Sequence, residues 1–204
     1  MIYIAIALNL QTATAAEVLK NTTSVDDYPL LSVLRDEEGS AYSRVTISPT
    51  GEMERCDIIK SSNIRRIDEA VCKIQKDFRF KSAKDHHGNP VYGIIEKWFS
   101  FRTYSKLNLK SYSVDTVLQI NRLPDKSPEN PIARLILTVD ESGKLENCDI
   151  ETSSGSTFLD KIACDAGVNA SSIKPAQDAM GTAVRSVQRL AIGFTAKSNE
   201  IGHH

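Results

Sequence analysis

Four cysteines have the clearest potential for chemistry in this sequence. They are Cys56, Cys72, Cys148 and Cys164, which form two pairs with a spacing of 16 positions, and no Cys-x-x-Cys occurs. Zinc knuckles and thioredoxin-like redox motifs need that closer spacing to bring two thiols to one centre. The pattern therefore argues against a metal or redox site. It favours structural disulfides in an oxidising compartment, for which four cysteines allow three pairings.

Histidines and serines are the other candidates for catalysis, and neither has a supporting context. His86 and His87 precede Gly88-Asn89-Pro90, a turn sequence that predicts an exposed loop and not a general acid-base site. The pairs Ser61-Ser62 and Ser153-Ser154 lack the Gly-x-Ser-x-Gly elbow of a nucleophile, so we expect them at helix entries. We predict a protein that is not an enzyme and that uses no cofactor or metal.

The charge balance narrows the range of partners. The chain has 25 Lys plus Arg against 26 Asp plus Glu, with both signs interleaved. Nucleic-acid grooves gather cations on one face, so we expect no nucleic-acid partner. No apolar run approaches the roughly 20 residues needed to cross a bilayer, which argues against an integral membrane segment.

The first 16 residues are uncharged, with an apolar stretch from Ile2 to Leu10 followed by small residues. This pattern is typical of a signal peptide, and Ala13-Thr14-Ala15 would suit a signal peptidase. We therefore predict that residues 1–16 are a signal peptide that directs export. No basic residue precedes the apolar run, and the alternative is that this segment forms the first β-strand of the domain.

An internal repeat favours one of the three possible disulfide pairings. At an offset of 92, residues 45–72 align with residues 137–164, and 10 of the 28 positions are identical, including both cysteines. The sequence thus predicts a tandem duplication with one bridge in each copy, Cys56 to Cys72 and Cys148 to Cys164. The competing pairings would link the two copies.

The sequence pattern of each copy predicts two strands, then a helix, then a further strand. Tyr42 to Ile47 and Arg134 to Val139 are rich in β-branched residues and end at turn sequences that contain Gly51 and Gly143. The helix of the first copy has an apolar stripe, and the final strands alternate over residues 91–101 and 184–194. The stripe consists of Ile67, Ala70, Val71, Ile74 and Phe78.

The predicted fold class is α+β, with two tandem ββαβ units, each a three-stranded antiparallel sheet packed by one helix. We place the first domain at residues 17–102, a linker at 103–118, the second domain at 119–197 and a tail at 198–204. A short strand or helix is expected around Asp115 to Leu123.

Both copies resemble the TonB C-terminal domain family. In the first copy the resemblance is carried by Tyr28-Pro29, Gly51, Ser61-Ser62, Ile67-Asp68, Phe80-Lys81-Ser82-Ala83, Gly88-Asn89-Pro90 and Trp98-x-x-Phe101. In the second copy it is carried by Gly143, Ser153-Ser154-Gly155, Leu159-Asp160, Lys174-Pro175-Ala176 and Gly181.

The resemblance implies a periplasmic protein whose last strand pairs with an extended peptide of an envelope partner, such as a TonB-dependent outer-membrane receptor. Strand addition provides affinity through backbone hydrogen bonds and selectivity through alternate side chains. The residues expected to form this peptide-binding edge are Val91, Ile94, Ile95, Trp98, Phe99, Phe101, Val184, Val187, Leu190, Ile192 and Phe194.

A second interpretation is a structural or scaffolding envelope protein without a transport role. In that case the two domains pair with each other and hide their strand edges. The copies also differ, because Ala191 stands where the first copy has Trp98, and the chain has no Pro-rich spacer. The sequence leaves the partner, the oligomeric state and the binding domain open.

Overall fold

The computed structural model describes residues 12–21, 23–102, 114–169 and 173–197. A 3-10 turn spans Val25–Asp27, and the helices are α1 Leu30–Leu34, α2 Arg65–Gln75 and α3 Thr157–Asn169. The strands of these ranges are β1 Glu17–Lys20, β2 Gly39–Ile47, β3 Met53–Lys60, β4 Arg79–Lys81, β5 Ala83–Lys84, β6 Pro90–Phe101, β7 Thr116–Ile120, β8 Ile132–Val139, β9 Leu145–Thr152, β10 Ala176–Gln177, β11 Ala183–Val184 and β12 Ser186–Ala196. Residues 1–11 of the expected signal peptide, 103–113 of the linker and 198–204 of the tail lie outside the described residues.

The fold is α+β, as the sequence predicts. We call β2, β3, α2 and β6 the first unit, and β8, β9, α3 and β12 the second unit. Each unit opens with a hairpin whose turn needs a left-handed residue, and glycine occupies it both times, Gly51 with φ 88° and Gly143 with φ 86°. The hairpin strands pair antiparallel in both units.

The two units share one continuous sheet, which differs from the two separate three-stranded sheets expected. The strand order is β3-β2-β6-β12-β8-β9. The units meet where β6 and β12 run parallel, with Tyr92 opposite Ser186 and Gly93 opposite Val187. We call these four residues the central joint. Two residue pairs form it.

The helices cover opposite faces of this sheet. Side chains paired across a parallel ladder point to the same face, and neighbours along a strand point to opposite faces. Val187 belongs to the apolar cluster around α2, whereas Ile192 and Phe194 belong to the cluster around α3. The joined sheet therefore separates two cores, one for each helix.

Helix α2 buries the predicted apolar stripe but ends earlier than the stripe does. Ile67, Ala70, Val71 and Ile74 are buried on the helix. After Gln75 the backbone tightens, since residues 76–78 donate to carbonyls three positions back, at 3.2 Å each. Phe78 thus lies beyond the helix, where it remains buried in the same core.

Both disulfides that the repeat predicts are present. Cys56 is bonded to Cys72, with their Cα atoms 5.8 Å apart, and Cys148 to Cys164, with 5.9 Å. Each bridge ties the second strand of a hairpin to the helix that follows it. The outermost strands of the sheet, β3 and β9, are therefore the ones that are covalently fixed.

The chain before β1 is part of the fold. Ala13, Ala15 and Ala16 are buried, and Thr14 forms an antiparallel bridge with Lys84. The Ala13 N–H donates to the Asp149 carboxylate at 3.1 Å, and Arg189 donates to the Ala16 carbonyl at 3.0 Å. The small residues that would suit a signal peptidase therefore also allow close packing against both units. This packing is closer to the alternative interpretation, in which the segment forms a first strand of the domain, than to a signal peptide.

Candidate peptide-binding edge

Strand β6 carries six of the residues expected at the binding edge, and the structure distributes them over two faces. Phe99 and Phe101 are buried in the core beneath α2, and half-buried Ile95 packs against that core. Trp98 is half-buried and Ile94 is buried on the opposite face, while Val91 is opposite Ala83 of β5. The apolar side chains of β6 are therefore largely buried within the fold, and Trp98 is the large half-buried side chain on the face opposite α2.

Trp98 belongs to a cluster of aromatic and charged side chains on β2, β3 and β6. The Tyr42 and Trp98 rings are 5.0 Å apart, and Lys60 Nζ lies 5.7 Å from the Trp98 ring. Glu96 accepts hydrogen bonds from the Tyr42 hydroxyl at 2.8 Å and from Arg44 Nε at 2.6 Å. Together these contacts form an aromatic surface of two rings tilted by 35°, next to the ion pair of Arg44 and Glu96.

The protonation of Tyr42 is fixed by this environment. Burial raises the pKa of the Tyr42 hydroxyl, and the hydrogen bond and negative charge of Glu96 raise it further. The hydroxyl therefore stays protonated and keeps donating to Glu96 at physiological pH. Tyr42 therefore acts in this cluster as a hydrogen-bond donor and not as a base.

The backbone of β6 is bordered unequally on its two sides. Strand β2 pairs with β6 from Gly93 to Phe101. On the other side, β5 pairs with residues 90–91 and β12 with residues 92–93. Within the described ranges no strand borders that second side of residues 94–101. Unpaired backbone groups of an edge strand can accept a further strand, so this stretch is a candidate peptide-binding edge.

Strand β12 is bordered on both sides. Strand β8 pairs with it from Ser186 to Gly193. On the opposite side β6 pairs at residues 186–187 and β7 at residues 192–196. Val187, Ile192 and Phe194 are buried, Leu190 is half-buried, and Val184 lies in β11 opposite Ala176. The two sets of expected edge residues thus lie in different backbone environments.

Charged side chains next to the central joint connect the two units. Arg185 donates to Asp85 at 3.2 Å and to Glu146 at 2.6 Å, and Glu54 accepts the Ala179 N–H at 3.3 Å. Burial alone would raise the pKa of Asp85, but backbone donors from Asn89 and His87 together with Arg185 lower it. Asp85 is therefore charged and orders both its own turn and the contact with the second unit.

The histidine pair takes part in that turn through its backbone. The N–H groups of His87 and Asn89 donate to Asp85 at 2.9 and 3.0 Å. The two imidazole rings are 3.9 Å apart, and His87 is exposed. In the described part of the chain, no group of three or more His, Cys, Asp or Glu side chains could hold a metal ion.

Comparison with known proteins identifies a family that part of this chain matches. The family model of the Gram-negative bacterial TonB protein C-terminal matches residues 25–103. By this match, residues 25–103 belong to the TonB C-terminal domain family. The match spans the first unit as defined by β2, β3, α2 and β6. This domain family is a protein-interaction module and not an enzyme, in agreement with the sequence-based prediction.

Curated TonB proteins match a shorter part of the chain. Protein TonB of Neisseria meningitidis serogroup C and that of serogroup B strain MC58 are each 38% identical over 55 residues, which is 27% of this chain and 20% of theirs. Protein TonB of Neisseria gonorrhoeae is 36% identical over 55 residues, which is 27% of this chain and 19% of its own length. The chain thus spans about a fifth of these relatives. Among the described residues, no helix is long and apolar enough to cross a membrane.

Sequence reasoning did not identify the strands and residues that form three contacts around the TonB C-terminal domain: the central joint, the pairing of β7 with β12, and the packing of residues 12–16. Each depends on which surfaces meet, and the sequence signals are short. Gly93 was one available signal, because a glycine inside a strand often marks a close approach of another backbone. A Cβ at Gly93 would lie 2.5 Å from the Ala16 Cβ.

Proposed function

We propose that this chain is a periplasmic protein-binding protein. Its TonB C-terminal domain would capture an extended segment of an envelope partner, such as an outer-membrane receptor, by strand addition to β6. The observation that carries the proposal is the stretch Ile94 to Phe101, which pairs with β2 on one side and has no described strand on the other. A peptide laid along it would satisfy backbone groups that a sheet otherwise leaves to water.

The side chains that flank this edge would give the capture its selectivity. Residues of an added strand alternate between the two faces of the sheet. One set would lie beside the Trp98 and Tyr42 rings, with Lys60 and Glu96 available for polar contacts. The other set would lie beside Lys97, whose ammonium is 5.3 Å from the Phe99 ring. We therefore expect a partner segment with an apolar or aromatic residue on the Trp98 face.

We also propose that the second unit is a second copy of the same domain. The offset identities, the shared element order and the two equivalent disulfides support a tandem pair. The second copy has no tryptophan at the position of Trp98, and its last strand is bordered on both sides. We assign capture to the first unit and a supporting role to the second.

A scaffolding role without peptide capture is the second candidate function. It is favoured by the central joint and by the pairing of β7 with β12, since both occupy part of a strand edge with another segment of the same chain. In that case residues 94–101 would be covered in the native assembly by a part of the envelope that is not an extended peptide.

Two proline variants test capture at β6. In an antiparallel pair, successive N–H groups of a strand point alternately toward its partner and away from it. Of Glu96→Pro and Lys97→Pro, one therefore spares the β2 ladder and removes only an outward donor. We expect that variant to stay folded by circular dichroism. It should bind synthetic peptides copied from the periplasm-facing segments of the host's outer-membrane receptors roughly tenfold more weakly than wild type does.

The control is Glu129→Pro, which changes an exposed loop residue far along the chain from β6. It should bind the same peptides as wild type does. If both folded chains bind equally well, or if wild type binds none of the peptides, capture at β6 is wrong and the scaffolding role is favoured.

A further inference from the structure

Strand β7 pairs with the edge of β12 in the way that an added peptide strand would. It runs parallel to β12, with Thr116 opposite Ile192 and Ile120 opposite Ala196. Two strands joined by a tight turn can only be antiparallel, so β7 is not the arm of a hairpin. Instead it docks on a strand about 76 positions later in the chain.

We propose that the β6-facing side of β12, beyond the central joint, is a strand-acceptor site and that residues 114–120 of this same chain are its resident occupant. While β7 is docked, this side of β12 is closed to other strands. Once β7 is displaced, the edge accepts a free peptide with the sequence of β7. This inference concerns β12 alone and does not rest on the capture proposed for β6.

Backbone and side-chain hydrogen bonds fix both ends of the docked segment. At the start, the Asp115 N–H donates to the Ala191 carbonyl at 2.8 Å, and the Ala191 N–H donates to the Asp115 carboxylate at 2.6 Å. At the end, the Lys197 N–H donates to the Ile120 carbonyl at 2.8 Å. Strand β7 is therefore paired with β12 along its whole length, as a strand added to a sheet edge is.

The side chains of β7 divide as those of a captured strand should. Leu118 and Ile120 pack against the core beneath α3, whereas Thr116, Val117 and Gln119 are exposed. Alternate residues thus supply apolar anchors, which is how strand addition obtains selectivity beyond backbone pairing.

The acceptor strand has room for this occupant. At Gly193 an added Cβ would lie 3.2 Å from Val114 Cγ1 and 3.7 Å from Val117 Cγ2. Any residue other than glycine would push against the incoming segment. Gly193 also pairs with Ile132 of β8 on the other side of β12. The pairing of β12 with β8 therefore does not require the open space next to Val114 and Val117.

A covalent tether explains why β7 holds the edge against competitors. The described loop of residues 121–131 connects β7 to β8, the neighbour of β12. A short tether turns docking into an intramolecular event with an effective concentration of the order of millimolar. An untethered strand with the same contacts must exceed that concentration to displace β7.

The test uses the full chain and a fluorescent peptide that copies residues 114–122. Wild type should show no saturable binding below about millimolar peptide. The double variant Leu118→Asp, Ile120→Asp removes both anchors of β7 and leaves β12 intact, so it should bind the peptide at least tenfold more tightly than wild type. Adding Gly193→Val to the double variant should abolish that binding. A matched control with the same added charge, Thr116→Asp with Gln119→Asp, changes exposed positions and should behave as wild type does.

Two results would overturn the inference. The first is equal peptide binding by wild type and the double variant, which would mean that β7 does not occupy the site. The second is a double variant that keeps its circular dichroism and disulfides but binds no peptide. If the double variant does not fold, hydrogen exchange of wild type decides: the β7 amides should be protected, and exchange at the rate of an unstructured peptide contradicts docking.

Discussion

Asp160 shows how one carboxylate fixes the start of a helix in the second unit. The Ser153 hydroxyl donates to it at 2.6 Å, and the Ser154 hydroxyl and N–H each donate at 2.7 Å. In the first unit, Asp68 receives the equivalent bonds from Ser61 and Ser62. The sequence predicts that the two serine pairs lie at helix entries, and in the structure each pair donates to the carboxylate in the first turn of the helix that follows.

These hydrogen bonds make stability depend on pH. Burial raises the pKa of Asp160, but the donors from Ser153 and Ser154 outweigh burial and lower it. A carboxyl whose folded pKa is lowered stabilises the fold above its unfolded pKa, and this contribution is lost as pH falls through the folded pKa. We predict that Asp160→Ala lowers the free energy of unfolding by about 2–3 kcal/mol at pH 7.

Urea unfolding at pH 7 and at pH 3 measures this effect. The difference between wild type and Asp160→Ala should shrink at pH 3, because wild type also begins to lose the charge there. Lys161→Ala, at the exposed neighbouring position, is the control and should change little at either pH. A loss from Asp160→Ala that is the same at both pH values would mean that the charge has no part in it.

At the scale of elements, the repeat made much of each unit predictable from the sequence. The hairpins, the helices and both disulfides follow from β-branched runs, turn glycines and recurring cysteines. The position of Phe78 beyond α2 was not predictable, because an apolar side chain continues the helical spacing even after the backbone has tightened. Likewise, Val184 continues the alternation of β12 but lies in β11.

Longer-range pairing was not predictable for a different reason. The alternation in β6 and β12 shows that each is a strand, and it carries no information on which strand borders its edge. The sequence indicates a short strand or helix around Asp115 to Leu123, but it carries no information that this segment pairs with β12. Ala13 to Ala16 have the same small side chains whether they suit a peptidase or pack beneath Gly93.

Each disulfide closes a loop that the reduced chain would leave open. We predict that Cys148→Ala with Cys164→Ala lowers the free energy of unfolding by about 3 kcal/mol, the value the chain-entropy model gives for a loop of this length. Urea unfolding without reductant measures this, and hydrogen exchange should show α3 opening before α2. A loss below about 1 kcal/mol would mean that the bridge hardly restricts the unfolded chain.

At the scale of the molecule, the two units and the chain before β1 meet at Gly93. It pairs with Val187 at the central joint and with Ile47 on the other side. An added Cβ would lie 2.5 Å from Ala16 Cβ and 3.0 Å from Ala83 Cβ. Gly93→Ala should therefore destabilise the chain by about 1–3 kcal/mol through overpacking.

Gly167→Ala is the matched control for this substitution. It lies in α3, where an added Cβ would meet nothing closer than 3.8 Å, and alanine favours a helix over glycine by about 1 kcal/mol. Thermal unfolding should therefore separate the two changes in sign. A neutral Gly93→Ala would contradict the close packing of residues 12–16 on the joint.

The central claim is that the TonB C-terminal domain offers β6 as an open edge for an extended partner segment. Hydrogen exchange over Ile94 to Phe101, with and without saturating receptor-derived peptide, tests it most directly. We predict that alternate amides exchange fast in the free protein and become protected with peptide, while those of β12 do not change. Full protection of residues 94–101 in the free protein, or no change when the peptide is bound, would contradict it.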